Sequence, residues 1–295
     1  MRTGQPIKED TLLVVKEDST LMQFLIQNVG HKSRDNIKSL LRNKQVFVEG
    51  KFITQFDHPL VIGNEVVIRW SPYSHGSLSR NLRIVYQDQY LIVVDKYAGL
   101  LSIAAGSETE ATAYSILSNF VKLKNGLNKI FVVHRLDRDT SGLMMFARSE
   151  EIQSLLQNNW KENMLERKYM AVVEGKVEEP EGTVRSYIYE SSAKVMHSTK
   201  NPEKGELAIT HFKTVKSKSD FSLLEIYLET GKKNQIRLHM QEIGHSIVGD
   251  KKYGATGNPI GRLGLHANIL AFIHPVTGKE LRFESKIPSK FRRVI

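Results

Sequence analysis

The sequence predicts an α+β protein in two parts: a small α/β unit in front, then a larger unit built on a mixed or antiparallel sheet with flanking helices and loops. Three observations carry this. Strand-like runs crowd the chain from about residue 80 onward, while helical periodicities there are few. Residues 11–70 hold two short helical patterns followed by alternating strands. Between the two, Ser71-Pro72-Tyr73-Ser74-His75-Gly76-Ser77 has the composition of a linker, which divides the chain into residues 1–75 and 76–295.

In chain order, Leu21–Ile26 reads as a short helix capped by Ser19 or Thr20. Ser33–Arg42 reads as a second, with Ile37, Leu40 and Leu41 on one face and Arg34, Lys38 and Arg42 on the other. Val46–Glu49 and Glu65–Trp70 alternate as strands, with a turn at Gly50-Lys51. In the larger part, Leu82–Tyr86, Leu91–Asp95, Ile130–Val133, Leu143–Phe146, Tyr169–Val173, Phe221–Leu228 and Leu281–Phe283 read as strands. Thr112–Val121, Ile152–Trp160 and Gln235–Ile243 carry helical spacing.

Composition narrows the function. The 295 residues carry a formal net charge of +10. That excess of cations favours a polyanionic partner, nucleic acid ahead of an anionic membrane surface. The absence of cysteine excludes disulfides, thiolate catalysis and Cys-ligated metal. No apolar run approaches the roughly 18 residues a membrane span needs. The polar start, Met1-Arg2-Thr3-Gly4-Gln5-Pro6, has no signal core. These features lead us to expect a cytoplasmic protein, monomeric by default, with a nucleic acid as its partner and no membrane association.

The most informative stretch is His134-Arg135-Leu136-Asp137-Arg138-Asp139-Thr140-Ser141-Gly142, set between two apolar runs. Placing aspartates there costs several kcal/mol, roughly, unless cations or donors compensate them. A carboxylate kept at that cost has a use. Residue type alone leaves Asp137 and Asp139 both open, and an extended loop would turn both to one side.

Four segments resemble one enzyme family: the 134–142 stretch; Arg167-Lys168-Tyr169-Met170-Ala171-Val172-Val173-Glu174-Gly175; Thr230-Gly231-Lys232-Lys233-Asn234-Gln235-Ile236-Arg237-Leu238-His239 running to Gly249-Asp250; and Leu265-His266-Ala267 with His274-Pro275. Together they are similar to the RluA/RluD-type pseudouridine synthases, which isomerise uridine in ribosomal or transfer RNA. The likeness spans about residues 80–290. In front, Ser33-Arg34, Ile37, Leu41, Val46-Phe47-Val48 and Gly50-Lys51 resemble the S4-like RNA-binding domain, with Asn43-Lys44 departing from that domain's usual glycine turn. Lys96-Tyr97-Ala98-Gly99 departs from the synthases' Lys-Pro-x-Gly by losing a rigid proline, not a reactive group.

The resemblance implies Asp137 as catalytic acid, Arg237 as its guanidinium partner through two parallel hydrogen bonds, and Tyr169 as the ring that stacks on uracil. It also implies that Ile236 and Leu265 wall the uracil pocket. Arg135 would fill the place of the flipped base or meet a phosphate. Arg138, Lys168, Lys232 and Lys233 would line the RNA backbone path, and Arg34, Lys38 and Arg42 would bind phosphates from the front unit. No cofactor is implied, because the isomerisation is redox-neutral. The histidines, scattered over several segments without a His-Glu-x-x-His pattern, are expected to be structural and not metal ligands. Two other readings remain: a catalytically silent RNA-binding or chaperone relative, and a glycoside-type hydrolase using Asp137 and Asp139 as an acid–base pair.

Overall fold

A computed structural model describes residues 11–29, 32–42, 45–49, 51–68, 77–79, 81–104 and 111–295, with the backbone alone at 51, 52, 77 and 124. The chain separates into two compact units, Met1–Gly76 and Ser77–Ile295. Asn43-Lys44, Gly50, Trp70 and the linker residues 71–76 lie outside the described residues.

In the first unit, β1 (Thr11–Val14) and β2 (Ser19–Thr20) lead into α1 (Leu21–Asn28) and α2 (Arg34–Arg42). β3 (Val46–Val48), β4 (Lys51–Phe52), β5 (Pro59–Leu60) and β6 (Glu65–Ile68) follow. The sheet order is β1-β6-β3-β4, with β2 and β5 pairing separately. Leu21, Leu25, Ile37, Leu41, Val46, Val66 and Ile68 form its core. Thus the apolar face of α2 is buried, while Arg34, Lys38 and Arg42 are exposed.

The second unit opens with β7 (Ser77–Ser79), so Ser77 already belongs to a strand and not to the linker. Then come β8 (Leu82–Gln87), β9 (Leu91–Lys96), α3 (Ala113–Lys124), β10 (Phe131–Val132) and β11 (Ser141–Ala147). Next are α4 (Glu150–Asn158), α5 (Trp160–Asn163) and the long β12 (Met164–Glu174). β13 (Glu181–Glu190), β14 (Met196–Thr199), β15 (Glu206–Ser217) and β16 (Phe221–Leu228) precede α6 (Gln235–Glu242). β17 (Leu265–Ile273), β18 (Glu280–Glu284) and α7 (Ser289–Arg293) end it. No helix among the described residues is long and apolar enough to cross a membrane.

The strands make one mixed sheet in the order β14-β13-β15-β16-β12-β17-β11-β9-β8-β7, with β10 on β11 and β18 on β17. Every residue of β9 and of β11 is buried, which is why their sequences are nearly unbroken apolar runs. At the sheet's centre β11 and β17 pair in parallel through Ser141–His266 and Gly142–Ala267. Gly142 sits at φ +115°, and a Cβ there would meet the Ala267 carbonyl oxygen at 2.1 Å. Only glycine lets the two strands approach so closely. The acid-bearing loop, residues 133–140, leads into this crossing.

Three local departures have physical causes. The expected strand Ile130–Val133 shortens to two residues because Gln157 Nε2 takes the Val132 and Val133 carbonyls at 3.2 and 2.9 Å. The expected helix Ile152–Trp160 breaks at Asn159, the C-cap of α4 and N-cap of α5. β17 carries the buried polar residues His266 and Asn268, which interrupt the apolar signature of a central strand. Asn268 is satisfied by donating to Ser285 O at 2.6 Å.

Candidate active site

One cavity of about 250 Å³ gathers residues from four distant segments. Arg135, Leu136, Asp137 and Thr140 come from the acid loop, and Arg167 and Tyr169 from β12. Leu228 and residues 231–237 enter from the end of β16 through the first turn of α6, and Leu265 starts β17. Of the expected site residues, Asp137, Tyr169, Arg237, Arg135, Lys232, Lys233, Ile236 and Leu265 meet here. Arg138 and Lys168 are not among the lining residues. Lys168 instead lies 3.4 Å from Glu225 and over the Tyr227 ring. Lys232 and Lys233 reach the rim already paired, with Glu206 at 3.0 Å and Glu190 at 2.6 Å.

The backbone of the acid loop is held from beneath. Ser102 Oγ donates to Leu136 O at 2.6 Å and accepts from Leu136 N at 3.1 Å. Lys96, with no exposed surface, donates from Nζ to Leu100 O at 2.7 Å, Arg138 O at 2.9 Å and Tyr97 O at 3.3 Å. Gly99 N also donates to Arg138 O, and Thr140 N closes a turn onto Asp137 O. From the other side Arg262 Nη2 donates to Asp139 O at 3.4 Å, Ser141 Oγ at 2.8 Å and Leu265 O at 2.9 Å. Ser141 Oγ is also 2.8 Å from His266 Nδ1.

These contacts set the fully buried Lys96 and the half-buried Arg262 against the backbone of the acid loop. Burial pushes Lys96 down to about 7, against the opposing charges of Asp139 and Asp137. Burial likewise pushes Arg262 down to about 10, with Asp139 opposing. Each charged donor is worth more here than at the surface, since low local polarity strengthens its field at the acids. The loss of proline after Lys96 therefore leaves intact the group that ties the 97–100 turn to the acid loop.

Arg237 differs from the expectation. Its two parallel hydrogen bonds go to Asp250, Nε to Oδ2 at 2.6 Å and Nη2 to Oδ1 at 2.7 Å, and not to Asp137. Nη1 alone reaches Asp137 Oδ2, at 3.5 Å, and also donates to Asn234 Oδ1 at 3.3 Å. The Asp250 side chain is 1% exposed and the Asp137 side chain 25%. Asp250 is thus the anchor that aims the guanidinium, whereas Asp137 keeps open surface in the cavity. Against the effect of burial, the hydrogen bonds and charge of Asp250, then the charge of Asp137, raise the Arg237 pKa. Asn234 adopts the left-handed conformation at φ +57° at the start of α6, and donates to Tyr253 Oη at 2.8 Å.

Tyr169 is buried to 6% exposure, and its hydroxyl oxygen accepts from Arg167 Nη2 at 3.2 Å. The phenolic hydrogen is therefore not used in that contact. Sequence reasoning missed Arg167, Asn234, Asp250, Lys96, Ser102 and Arg262. Asp250 and Arg167 lay inside quoted motifs, but a pairing across 13 residues has no local periodicity to announce it. The histidines hydrogen-bond within the protein: half-buried His134 accepts at Nε2 from Met145 N at 3.2 Å, and buried His239 sits between Thr210 Oγ1 and Ser186 Oγ at 2.7 and 2.9 Å.

Comparison with known proteins gives the family. The family profile for RNA pseudouridylate synthase matches residues 90–242. The chain is 34% identical to the uncharacterized RNA pseudouridine synthase YjbO of Bacillus subtilis, over 72% of this chain and 75% of that one. It is 32% identical to ribosomal large subunit pseudouridine synthase D of Zymomonas mobilis, over 70% and 69%. The structure of human RNA pseudouridylate synthase domain containing 4 shares the fold, with a TM-score of 0.58 at 23% identity over 71% of this chain and 90% of that one. A site assembled from the acid loop, β12 and α6, within a matching profile over half the chain, makes this protein a member of the RNA pseudouridine synthase family, of the RluA/RluD type.

Proposed function

We propose that this chain isomerises a uridine of ribosomal RNA to pseudouridine, with Asp137 acting on the ribose of a flipped-out nucleotide. The observation that carries the proposal is the convergence of Asp137, Tyr169 and Arg237 on one cavity, with Asp250 holding the arginine so that Nη1 remains for Asp137. Ribosomal RNA is the substrate class because a relative 32% identical is named for the large ribosomal subunit.

In the reaction the C1′–N1 bond breaks, uracil turns, and a C1′–C5 bond forms. Asp137 attacks C1′ or removes the C2′ proton, and both routes need an ionised carboxylate beside a sugar gaining positive character. Arg237 Nη1 donates to that carboxylate at 3.5 Å, and the buried Lys96 lies close enough to feel its charge. Tyr169 offers its ring to the uracil face and its hydroxyl to the C5 proton lost at the end. Ile236 and Leu265 supply apolar walls, while Arg135, Lys232 and Lys233 meet the RNA backbone at the rim. Asp139 does not line the cavity, which speaks against an acid–base pair of a hydrolase. A silent chaperone would have no use for a cavity-lining aspartate with an anchored guanidinium beside it.

The test is release of tritium from C5-labelled ribosomal RNA taken from cells lacking the protein. Wild type releases tritium; Asp137→Asn binds the same RNA but releases at least about 10³-fold more slowly. Release by the variant at the wild-type rate refutes the role of Asp137.

The front unit completes the reading as an S4-like RNA-binding module that uses the exposed Arg34, Lys38 and Arg42 of α2. Replacing all three by Gln should lower the slope of log affinity against log salt by about 2–3. An unchanged slope assigns that face to something other than phosphate.

A further inference from the structure

Beside the uridine cavity lies a second, of about 340 Å³, walled by Val133, His134, Gln157 and Trp160. The two share Arg135, Arg167 and Gly231. Arg167 is the common wall: it donates to Tyr169 Oη on one side and lies 5.3 Å from the Trp160 ring centroid on the other. Among the described residues neither Arg135 nor Arg167 is within ion-pair distance of a carboxylate, unlike Lys232 and Lys233, which line the same first cavity. Two such cations at a junction call for an anion from outside.

Gln157 defines what the second cavity selects. Its Nε2 spends both hydrogens on the Val132 and Val133 carbonyls, which fixes the amide and leaves Oε1 as its remaining polar atom. A fixed lone acceptor beside an aromatic ring suits a flat heterocycle that carries a projecting N–H₂ group. Uracil's one base donor, N3–H, sits between two carbonyl oxygens that repel such an acceptor; adenine, guanine and cytosine carry an exocyclic amine at the ring edge.

We propose that the second cavity binds the nucleobase adjacent to the target uridine, and that this base carries an exocyclic amine. The phosphodiester joining the two nucleotides crosses the shared wall at Arg135 and Arg167. Trp160 packs against the base, and Gln157 Oε1 accepts from its amino group. The target's sequence context is then read by α4 and α5, outside the reacting centre. The inference rests on the reading that uridine occupies the first cavity.

The sequence has two tryptophans, so Trp70→Phe leaves Trp160 as the sole emitter in the full chain. Titration with random-sequence hexaribonucleotides should shift or quench Trp160 emission at a concentration where hexauridylate does not, and Gln157→Ala should erase the preference. With ribosomal RNA from cells lacking the protein, Gln157→Ala should raise KM roughly fivefold, the loss of about one hydrogen bond, with a smaller change in kcat. No change in emission, or an equal change with both RNAs, overturns the proposal. Absence of tritium release by the wild-type protein would instead refute the choice of ribosomal RNA, and the emission titration would still decide what the second cavity binds.

Discussion

The two sides of the acid loop use positive charge in opposite ways. Below the loop, Lys96 is buried and Arg262 half-buried, and their donors are committed to backbone carbonyls and Ser141. Above it, Arg135 and Arg167 line open cavities without a carboxylate partner among the described residues. A loop that must hold an ionised acid needs both. The floor fixes geometry and sets the local field before substrate arrives, so no reorganisation is required during reaction. The cleft keeps cations that no described carboxylate pairs, the charges we propose for RNA phosphate.

This contrast can be broken from either side. The largest effect should come from the floor: Lys96→Met leaves the Leu100 and Arg138 carbonyls without their buried donor. A cost of about 2–4 kcal/mol follows, read as a lowered urea midpoint, together with a fall in kcat at least tenfold despite an intact Asp137. Full stability and full kcat in that variant would mean that the loop is held by other contacts.

The desolvated histidines of the core should add a pH dependence of stability. Burial pushes His134 down to about 3 and His239 and His266 down to about 4, so the folded protein keeps them neutral. The unfolded chain protonates them near 6.5. Between those values the unfolded state binds more protons, so stability is full above about pH 6.5 and falls as pH drops toward 4, by a few kcal/mol in urea titrations. Flat stability across that window would show that these rings are protonated in the fold.

On the cleft side the effect is smaller and differs in kind. Arg135→Gln should leave the urea midpoint unchanged while lowering the salt slope of RNA binding by about 1. A drop in stability instead would move Arg135 to the floor.

The same contrast explains what was legible in the sequence. The acid loop, the tyrosine strand and the α6 motif stand out because each is a contiguous run, and the structure brings them to one cavity. The nearly unbroken apolar runs of β9 and β11 were legible for the same local reason. The partner of Arg237 was not: Asp250 outcompetes Asp137 for the bidentate geometry because it is buried at a short distance, which only the tertiary fold decides. Lys96 looked like the remnant of a turn motif, since its three carbonyl partners sit in two separate loops. β13, β14 and β15 went unassigned because their half-exposed faces mix Arg, Ser, Lys and Thr with few apolar residues.

The most direct measurement is a pseudouridine map of ribosomal RNA from cells lacking this chain, complemented with wild type or with Asp137→Asn. One or a few uridines should stay unmodified in the null strain, regain modification with wild type, and remain uridine with the variant. A map identical to that of normal cells, or one restored by Asp137→Asn, would contradict a uridine isomerase working through that carboxylate.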